Sequence, residues 1–325
     1  MMEPMKYPLL TVLMCQLAVS GASAADTMKA VVIVDGKPQM ETVAKPEPQA
    51  GQVRIKVRAV SVNPVDWKIA DHAPAEGHVI AGRDLAGVID SVGPSAGQWQ
   101  PGEKVIAVAS GGSYAEYVLA AANAIAIKPA RMSFEEAAGI PIVGETAWRS
   151  LVVVANLQAG QRVLIHGAAG GVGSSAVQVA KAKGAYVIAT ASPSHTAFLR
   201  SLGADEVIDY HAVRFEDRVK NVDVVLNTVD AETNSRSIAV IKPGGILVSV
   251  VGPPPADSCK AAGIRCAVPG PVNGAMLGFL TDLANRGKFH IKIEQRLQLS
   301  DAAQAWDLNR KGHTAGKIIL EVSSR

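Results

Sequence analysis

The amino-acid sequence predicts an α/β protein in which a domain with a doubly wound parallel sheet interrupts a β-rich domain. A glycine cluster follows an apolar run within residues 162–175, and short apolar runs alternate with helix-length segments from residue 146 onward. Short strands separated by Gly and Pro precede residue 133, and the same texture returns after residue 289. Alternating strands and helices favour a parallel sheet with helices on both faces, whereas closely spaced short strands favour a compact β domain. The chain has 325 residues, 48% of them hydrophobic, which is enough to bury a sizeable core and allows one or two domains.

The first 24 residues have the composition of a Sec-type export signal. Lys6 precedes an apolar stretch at residues 9–19, and Ala-Ser-Ala ends at Ala24, the predicted cleavage site. The apolar stretch is too short to span a bilayer. The alternative is a start at Met28, which would make residues 28–34 an ordinary first strand. We therefore expect a periplasmic or secreted protein if the signal is real, and a cytoplasmic one otherwise.

The first domain is predicted over residues 28–145. Residues 52–62 alternate strictly between apolar and polar side chains, as a half-buried strand does. Residues 35–38 and 100–102 are turn sequences, and Ser133 followed by two glutamates predicts the start of a helix. The strands predicted in this domain are residues 28–34, 52–62, 87–92, 104–108, 114–119 and 124–127.

The second domain is predicted over residues 146–288, and the chain then returns to the first domain over residues 289–325. The returning segment begins with a strand at residues 290–295 and ends with one at residues 316–322. Between them a helix is expected at residues 300–311, with Ser300 as its N-cap and Gly312 after its end. The strands expected in the second domain are residues 163–166, 186–189, 206–208, 222–227 and 246–251.

Charge and cysteine usage narrow the class of protein. A net charge of +3 without a basic run gives no reason to expect a nucleic-acid partner. We expect a small-molecule substrate and no stable membrane anchor, with a homodimer as one option for the assembly. Cys259 and Cys266 have six residues between them, which fits no common zinc spacing. They either close a small disulfide loop or remain two ordinary thiols.

The glycine cluster predicts a dinucleotide-binding turn. Residues 168–173 read Ala-Ala-Gly-Gly-Val-Gly, so Ala168 replaces the first glycine of the G-x-G-x-x-G pattern and the other two are present. Gly170 would let a pyrophosphate approach the backbone, and Gly173 would let the following helix pack closely against the sheet. The backbone of this turn is expected to bind the cofactor through Ala169, Gly170, Gly171, Val172 and Gly173.

The residues after the second strand of this domain favour NADPH, with NADH the less expected cofactor. A carboxylate in this place would bind the ribose 2′-hydroxyl of NAD. The sequence here instead carries Ser192, Ser194 and His195 and no acid. Two hydroxyls and an imidazole can surround a 2′-phosphate without repelling it.

The motifs together resemble the medium-chain dehydrogenase/reductase superfamily, and most closely its zinc-free quinone oxidoreductase (zeta-crystallin-like) branch. The resemblance runs from about Met28 to Val322 and implies a split GroES-like catalytic domain with a Rossmann cofactor domain. The segments that carry it are the glycine turn, FLRSLGADEVIDY at 198–210, KPGG at 242–245, SVNPVDWK at 61–68, GEKV at 102–105, TAW at 146–148 and GKIIL at 316–320.

The resemblance also implies site residues. It places Asn63 in the catalytic cleft, Asp66 as a supporting acceptor in the same turn, and Thr146 near the nicotinamide; Tyr114 is a candidate donor to the substrate. Further cofactor contacts are implied at Tyr210, Asn227 and Gly252. Ser194 stands where many relatives carry lysine, and Asn227 where many carry an acid.

No catalytic zinc is expected. Zinc-dependent relatives have a cysteine ligand at the position of Asn63 and a histidine at that of Arg83. A catalytic zinc needs three protein ligands. The sequence has no cysteine between residues 28 and 258 to supply the usual set.

These observations predict a zinc-independent, NADPH-dependent reductase that transfers hydride to quinones or α,β-unsaturated carbonyls. Two alternatives remain open from the sequence. One is an aldehyde or alcohol oxidoreductase of the same superfamily, and the other is a non-catalytic NADPH-binding or sensor protein.

Overall fold

The computed structural model describes residues 27–71, 79–312 and 314–322. The predicted export signal lies outside these residues. Among them, no helix is both long enough and apolar enough to cross a membrane. The strands are β1 Thr27–Val34, β2 Lys37–Ala44, β3 Gln52–Ser61, β4 Val79–Ile80, β5 Asp84–Val92, β6 Lys104–Val108, β7 Tyr117–Ala121, β8 Ile125–Ile127, β9 Arg162–His166, β10 Tyr186–Ala191, β11 Glu206–Asp209, β12 Val222–Asn227, β13 Ile241–Ser249, β14 Arg265–Ala267, β15 Ile293–Gln298 and β16 Lys317–Glu321. The α-helices are α1 Pro64–Ala70, α2 Phe134–Ala138, α3 Pro141–Trp148, α4 Gly171–Ala182, α5 Thr196–Ser201, α6 Ala231–Ser237, α7 Ala256–Ala261, α8 Leu277–Asn285 and α9 Ala302–Lys311.

The β-rich part is built on a seven-stranded sheet that includes the two returning strands. Its order is β15-β16-β3-β5-β6-β8, with β7 also paired to β3, and a separate three-stranded sheet has the order β2-β1-β4. The predicted alternation in β3 is confirmed, since Val53, Ile55 and Val57 are buried. Because β16 pairs with β3, the last strand of the chain lies beside one of the first. The split β-rich architecture expected from the sequence is therefore confirmed.

The second part is a six-stranded parallel sheet in the order β11-β10-β9-β12-β13-β14. Its chain order reverses beside β9, the strand that leads into the glycine cluster. Helix α4 packs against this sheet through a face of small and β-branched residues, all buried in one core with the sheet. Ligands of such sheets bind at the carboxyl ends of the strands, next to the reversal. The doubly wound parallel sheet is confirmed; the exact domain boundaries stay predictions.

Several predicted elements differ from the structure. Residues 37–44 form a strand that the turn signal concealed: Asp35 and Gly36 make a two-residue hairpin turn, both with positive φ. Tyr114 precedes its strand, and the strand expected at 290–295 is found at Ile293–Gln298. Ser300 is not an N-cap, because a short 3₁₀ turn precedes α9 and the side chains of Gln298 and Asp301 make the capping box there. Gly312 ends α9 with positive φ, as expected.

Cys259 and Cys266 are joined by a disulfide in the structure. Cys259 lies in α7 and Cys266 in β14, with 6.2 Å between their Cα atoms. Cys259 belongs to the core under this edge of the parallel sheet. Of the two options left open by the sequence, the disulfide loop is therefore the one observed.

Candidate active site

The glycine turn connects β9 to α4 at the centre of the parallel sheet. Gly167 leaves the strand with φ +66°, which favours glycine, and Gly170 is the N-cap of α4. No side chain caps this helix. The first N–H groups of a helix lack partners within it and carry the positive end of its dipole. Helix α4 thus presents an uncapped N-terminus suited to a phosphate.

The two remaining glycines of the pattern have different surroundings. A Cβ added at Gly173 would lie 2.2 Å from the carbonyl oxygen of Gly167 and 2.6 Å from Cα of Ala168. A Cβ added at Gly170 would have only one neighbour within 4 Å, the Gly167 oxygen at 3.4 Å. Gly173 therefore permits the close packing of helix and turn, while the space beside Gly170 is open for a ligand.

The closing strand of the β-rich part reaches this turn. The Gly316 N–H donates to the carbonyl of Ala169 at 3.0 Å, and Gly316 forms a bridge with Gly170. Lys317 follows directly, and its Cδ lies 3.0 Å from where a Gly171 Cβ would be. The glycine turn is thus in contact with the β-rich domain, which also contains Asn63.

Polar side chains gather after β10 and β11, which are neighbours in the sheet. The hydroxyls of Ser192 and Tyr210 lie 3.1 Å apart, and the Tyr210 ring contacts the ring of His211 with 4.1 Å between centroids. Ser194 is exposed and His195 is half-buried in the short 3₁₀ turn that follows Ser192. Arg200 donates to the backbone carbonyls of Ala204 and Asp205. The structure therefore brings Ser192 and Tyr210 together, with Ser194 and His195 next in sequence.

Asn63 is the centre of a buried polar cluster, which we define as Ser61, Asn63, Asp66, Asp84, Tyr114 and Lys317. Its side-chain oxygen accepts from Nζ of Lys317 at 2.6 Å. Its side-chain nitrogen donates to Oδ2 of Asp84 at 2.9 Å and to the carbonyl of Ser61 at 3.3 Å. Its backbone N–H donates to Oδ2 of Asp66 at 2.8 Å. Both hydrogens of the carboxamide are therefore used within the protein.

The charges of the buried polar cluster are shielded from water. Burial raises the pKa of Asp66 to about 7, and the neighbouring charge of Asp84 adds to the rise. Burial also raises the pKa of Asp84, against the opposing effect of Lys317 and its hydrogen bonds, and lowers the pKa of Lys317. One ammonium can balance only one of two neighbouring carboxylates, and an unbalanced charge is unfavourable at low dielectric. One of the two carboxyl groups is therefore expected to keep its proton. Asp66, with one unpartnered buried oxygen, is the group we expect to hold it.

Helix α3 joins the buried polar cluster to Thr146. The N–H of Ile142, in the first turn of the helix, donates to Oδ1 of Asp84 at 2.8 Å. The next turn carries Glu145, whose oxygens accept from the N–H groups of Asn273 and Gly274 at 3.1 and 2.7 Å. Thr146 is nine-tenths buried, and its hydroxyl makes no hydrogen bond to another described residue. The hydroxyl of Thr146 is thus available to a ligand.

Two further predicted contacts lie at the ends of β12 and β13. Asn227 is fully buried; its side-chain nitrogen donates to the Asp230 carbonyl and to Oδ1 of Asn234, both at 2.7 Å, and its oxygen accepts from the Val229 N–H. Gly252 has φ +134° and no atom within 4 Å of an added Cβ. Gly252 therefore leaves room for a ligand, whereas the Asn227 amide is used in shaping the turn after β12.

Comparison with known proteins places this architecture and turn in a family. A family model described as "Alcohol dehydrogenase GroES-like domain" matches residues 49–130, and one described as "Zinc-binding dehydrogenase" matches residues 202–320. The chain is 32% identical over 304 residues to Quinone-oxidoreductase QR1, chloroplastic, of Triphysaria versicolor, covering 85% of this chain and 91% of that protein. It is 30% identical over 323 residues to NAD(P)H oxidoreductase RTN4IP1, mitochondrial, of Mus musculus, covering 83% and 82%.

Among solved structures, the quinone oxidoreductase from Coxiella burnetii superposes with a TM-score of 0.83 at 32% identity, covering 91% of this chain and all of that one. The chain belongs to the medium-chain dehydrogenase/reductase superfamily. Within it, the protein lies in the quinone oxidoreductase-like branch and is an NAD(P)H-dependent oxidoreductase. The GroES-like and Rossmann domains expected from the resemblance are both present.

In this oxidoreductase two predicted catalytic residues have contacts that differ from those expected. Tyr114 is fully buried and its hydroxyl donates to Oδ2 of Asp66 at 2.9 Å. Its hydroxyl hydrogen is therefore used within the core, where it supports Asp66. Asn63 is 1% exposed and has no hydrogen left to donate to a substrate oxygen. The roles of Asp66 and Thr146, and those of the cofactor contacts, stay predictions.

Sequence reasoning missed Lys317, Asp84 and Glu145. Lys317 was visible only as part of the GKIIL segment, although a lysine at the start of an apolar closing strand is itself an unusual signal when it is buried. Asp84 directly follows Arg83 and belongs to no motif that the sequence analysis used. Their partners come from distant parts of the chain, so only the fold shows that they meet at Asn63.

Proposed function

We propose that the protein is a zinc-independent, NADPH-dependent reductase that transfers hydride to quinones or α,β-unsaturated carbonyls. The observation that carries the proposal is the uncapped N-terminus of α4 with open space at Gly170, joined through Gly316 to the buried polar cluster around Asn63. A phosphate site in contact with a buried set of polar groups suits a reaction between a dinucleotide and a small carbonyl compound.

The residues present fit a nicotinamide dinucleotide. The backbone from Ala169 to Gly173 would hold the pyrophosphate at the α4 N-terminus. Ser192, Ser194, His195 and Tyr210 would surround the 2′-phosphate, since hydroxyls and imidazoles donate to phosphate oxygens. Gly252 would allow the backbone to approach the nicotinamide, and Thr146 would contact it. The bound cofactor supplies the hydride.

The chain's own groups must then stabilise the substrate oxygen that gains charge. The amide hydrogens of Asn63 and the hydroxyl of Tyr114 are used internally, and we propose two other donors for this oxygen. One is the hydroxyl of Thr146. The other is the guanidinium of Arg83, next to Asp84, whose Nε is buried and without a partner among the described residues. An unpaired buried donor that adjoins the buried polar cluster in sequence suits a developing oxyanion.

Zinc independence is supported by the chemistry of the residues available. An amide at position 63 and a guanidinium at position 83 are poor replacements for thiolate and imidazole ligands. Both Asp84 oxygens already accept hydrogen bonds. No group of three or more His, Cys, Asp or Glu in the described ranges is arranged to hold a metal ion. We therefore propose that the hydride transfer does not depend on a metal ion.

The proposal is tested by NADPH oxidation with the purified protein and a panel of quinones, enones and simple aldehydes. Turnover of at least one quinone or enone, retained after treatment with a chelator, is expected. Turnover of aldehydes alone, or tight NADPH binding without any turnover, would overturn it. Ser192→Ala should weaken NADPH binding about tenfold, the order of one charge-assisted hydrogen bond, and leave NADH binding unchanged. Equal losses for both cofactors would refute the 2′-phosphate assignment.

We also propose an oxidising compartment for the mature protein. The observed Cys259–Cys266 disulfide and the predicted export signal point the same way, because disulfides persist mainly outside the cytosol. Mass spectrometry of the mature protein is the test. An N-terminus at Ala25 with the disulfide intact would support export, and Met1, Met2 or Met28 with free thiols would contradict it. The homodimer stays a prediction.

A further inference from the structure

Lys317 is a buried lysine with no part in the chemistry proposed above. It is 4% exposed and begins β16, whose next three residues are all buried and apolar. Its Nζ donates to the carbonyl of Val62 at 2.9 Å and to Oδ1 of Asn63 at 2.6 Å. A buried ammonium is costly unless a negative charge compensates it. Its position therefore calls for a specific explanation.

The compensating charge lies on the opposite side of Asn63. Asp84 accepts from the Asn63 side-chain nitrogen at 2.9 Å and from the Ser61 hydroxyl at 2.7 Å. Lysine can only donate and an ionised carboxylate can only accept. The Asn63 carboxamide is therefore held in one orientation, with oxygen toward Lys317 and nitrogen toward Asp84. A flipped amide would meet a donor with a donor and an acceptor with an acceptor.

The same lysine touches the cofactor turn. The Lys317 Cδ lies 3.0 Å from where a Cβ on Gly171 would stand, and the preceding residue, Gly316, is bonded to Ala169. Asp84, at the other end of the carboxamide, accepts from Ile142 at the start of the helix that bears Thr146. The chain Gly171–Lys317–Asn63–Asp84–Ile142 thus connects the phosphate turn to the helix expected beside the nicotinamide.

We propose that Lys317 is a positioning residue: its ammonium group fixes the Asn63 carboxamide and thereby aligns the glycine turn with the helix that carries Thr146. The inference rests on the reductase function proposed above. It assigns Lys317 no contact with the substrate and no proton transfer. Loss of its charge should misalign the site while the cofactor still binds.

The ionisable groups around Lys317 supply an independent readout. Asp66 on α1 and Asp84 on β5 face the ammonium; Tyr114 faces Asp66, and Glu145 on α3 is within electrostatic reach of Asp84. The ammonium lowers the pKa of both aspartates. Without the Lys317 ammonium, both aspartates should stay protonated to higher pH. The pH at which kcat falls on the acidic side of its profile should therefore rise by about one pH unit.

The experiment compares Lys317→Met, Lys317→Arg and a matched control, Lys128→Met. Lys128 is also buried, and its Nζ also donates to two oxygens, here the backbone carbonyls of Pro129 and Met132. It contacts no member of the buried polar cluster. The measurements are kcat and KM against pH with a quinone that the wild type reduces, Kd for NADPH by fluorescence, and Tm.

For Lys317→Met we expect kcat to fall by about tenfold or more, the order of one charge-assisted hydrogen bond, with Kd for NADPH within about threefold of wild type. The acidic limb should move up, and Lys317→Arg should restore the limb because its charge remains. Lys128→Met should keep the wild-type kcat and pH profile. An unchanged kcat and profile in Lys317→Met, or a loss seen only in Kd, would overturn the proposal.

If Lys317→Met does not fold, the double variant Lys317→Met/Asp84→Asn removes both charges together. The proposal then requires a recovered Tm with kcat still low, whereas recovery of kcat along with Tm would show a purely structural role. A wild type that reduces no quinone or enone refutes the reductase function itself. An active wild type with a fully active Lys317→Met refutes only this inference.

Discussion

Alanine substitutions at Gly170 and Gly173 should separate cofactor binding from folding, although the two glycines are three residues apart. The Gly173 substitution pushes a methyl group into backbone: the new Cβ would lie 2.2 Å from the Gly167 oxygen. That is about 1 Å short of ordinary contact. Since backbone atoms cannot rotate away as a side chain can, helix α4 must move from the turn.

The expected cost at Gly173 is at the upper end of the usual range for overpacking, about 3 kcal/mol of unfolding free energy. For a protein of this size that corresponds to a Tm lower by about 6–12 °C. At Gly170 the new Cβ meets only one atom, at 3.4 Å, and the backbone has φ −70°, which alanine adopts readily. Its Tm should change by less than about 4 °C, the cost of a weaker N-cap.

Among the folded variants, Gly170→Ala should weaken NADPH binding more than Gly173→Ala does, the reverse of their order in Tm. The Gly170 methyl group would occupy the space reserved for the pyrophosphate and should raise Kd for NADPH at least about tenfold. The assays are thermal unfolding by circular dichroism and NADPH titration by fluorescence. Gly278→Ala is the control, since Gly278 lies in α8 with no atom within 4 Å of an added Cβ.

Either of two results would refute the roles assigned to the two glycines. One is a Gly173→Ala protein that melts within about 2 °C of wild type, because the close approach would then not constrain the helix. The other is a Gly170→Ala protein that binds NADPH normally, because the open space at Gly170 would then not face the cofactor.

Three further predictions concern buried groups. Burial lowers the pKa of His166 from 6.5 to about 4. Between these two pH values the unfolded chain binds more protons than the folded one. The unfolding free energy should therefore fall by about 3 kcal/mol as the pH drops from 6.5 to 4. The raised pKa of Asp66 makes the unfolding free energy change with pH in the opposite direction. Urea unfolding of wild type and His166→Asn across this pH range therefore isolates the contribution of His166. If the unfolding free energies of the two proteins change in parallel with pH, the prediction is wrong. Tyr114→Phe should lower the unfolding free energy by about 1–2 kcal/mol, because the hydrogen bond to Asp66 is lost. The KM for the quinone should stay nearly unchanged. A large rise in KM would instead indicate that Tyr114 contacts the substrate directly. Cys259→Ser should lower the unfolding free energy measured in urea by about 2 kcal/mol, the loop-closure entropy of a disulfide spanning seven residues. A reducing agent should lower the unfolding free energy of the wild type by the same amount and leave that of the variant unchanged.

The order of strands and helices was open to prediction because each signal is local. Apolar runs alternating with helix-length segments predicted the parallel sheet, and the capping sequence at Ser133 predicted the start of α2, which the structure confirms. The errors are also local in origin. The turn signal at residues 35–38 hid β2, because Lys37 and Pro38 belong to the turn-like sequence but are the first two residues of the strand.

The candidate site was only partly predictable, since its geometry depends on contacts between distant segments. Asn63 and Tyr114 were selected by sequence, but which of their atoms remain free was not, because their partners come from elsewhere: Asp84 lies 21 residues after Asn63 and Lys317 lies 254 after it. Hydrogen bonds over such separations leave no periodic or spacing pattern in a sequence.

The sequence by itself determined the fold class, the dinucleotide turn and the absence of the usual zinc ligands, because strand–helix periodicity, glycine spacing and ligand identity are properties of the chain. The tertiary structure alone decided that Asn63 has no hydrogen left for a substrate and that Tyr114 supports Asp66. It also brought a lysine from the last strand into contact with both Asn63 and the glycine turn. The physical reason is that burial and the pairing of charges depend on which distant segments the two sheets bring together.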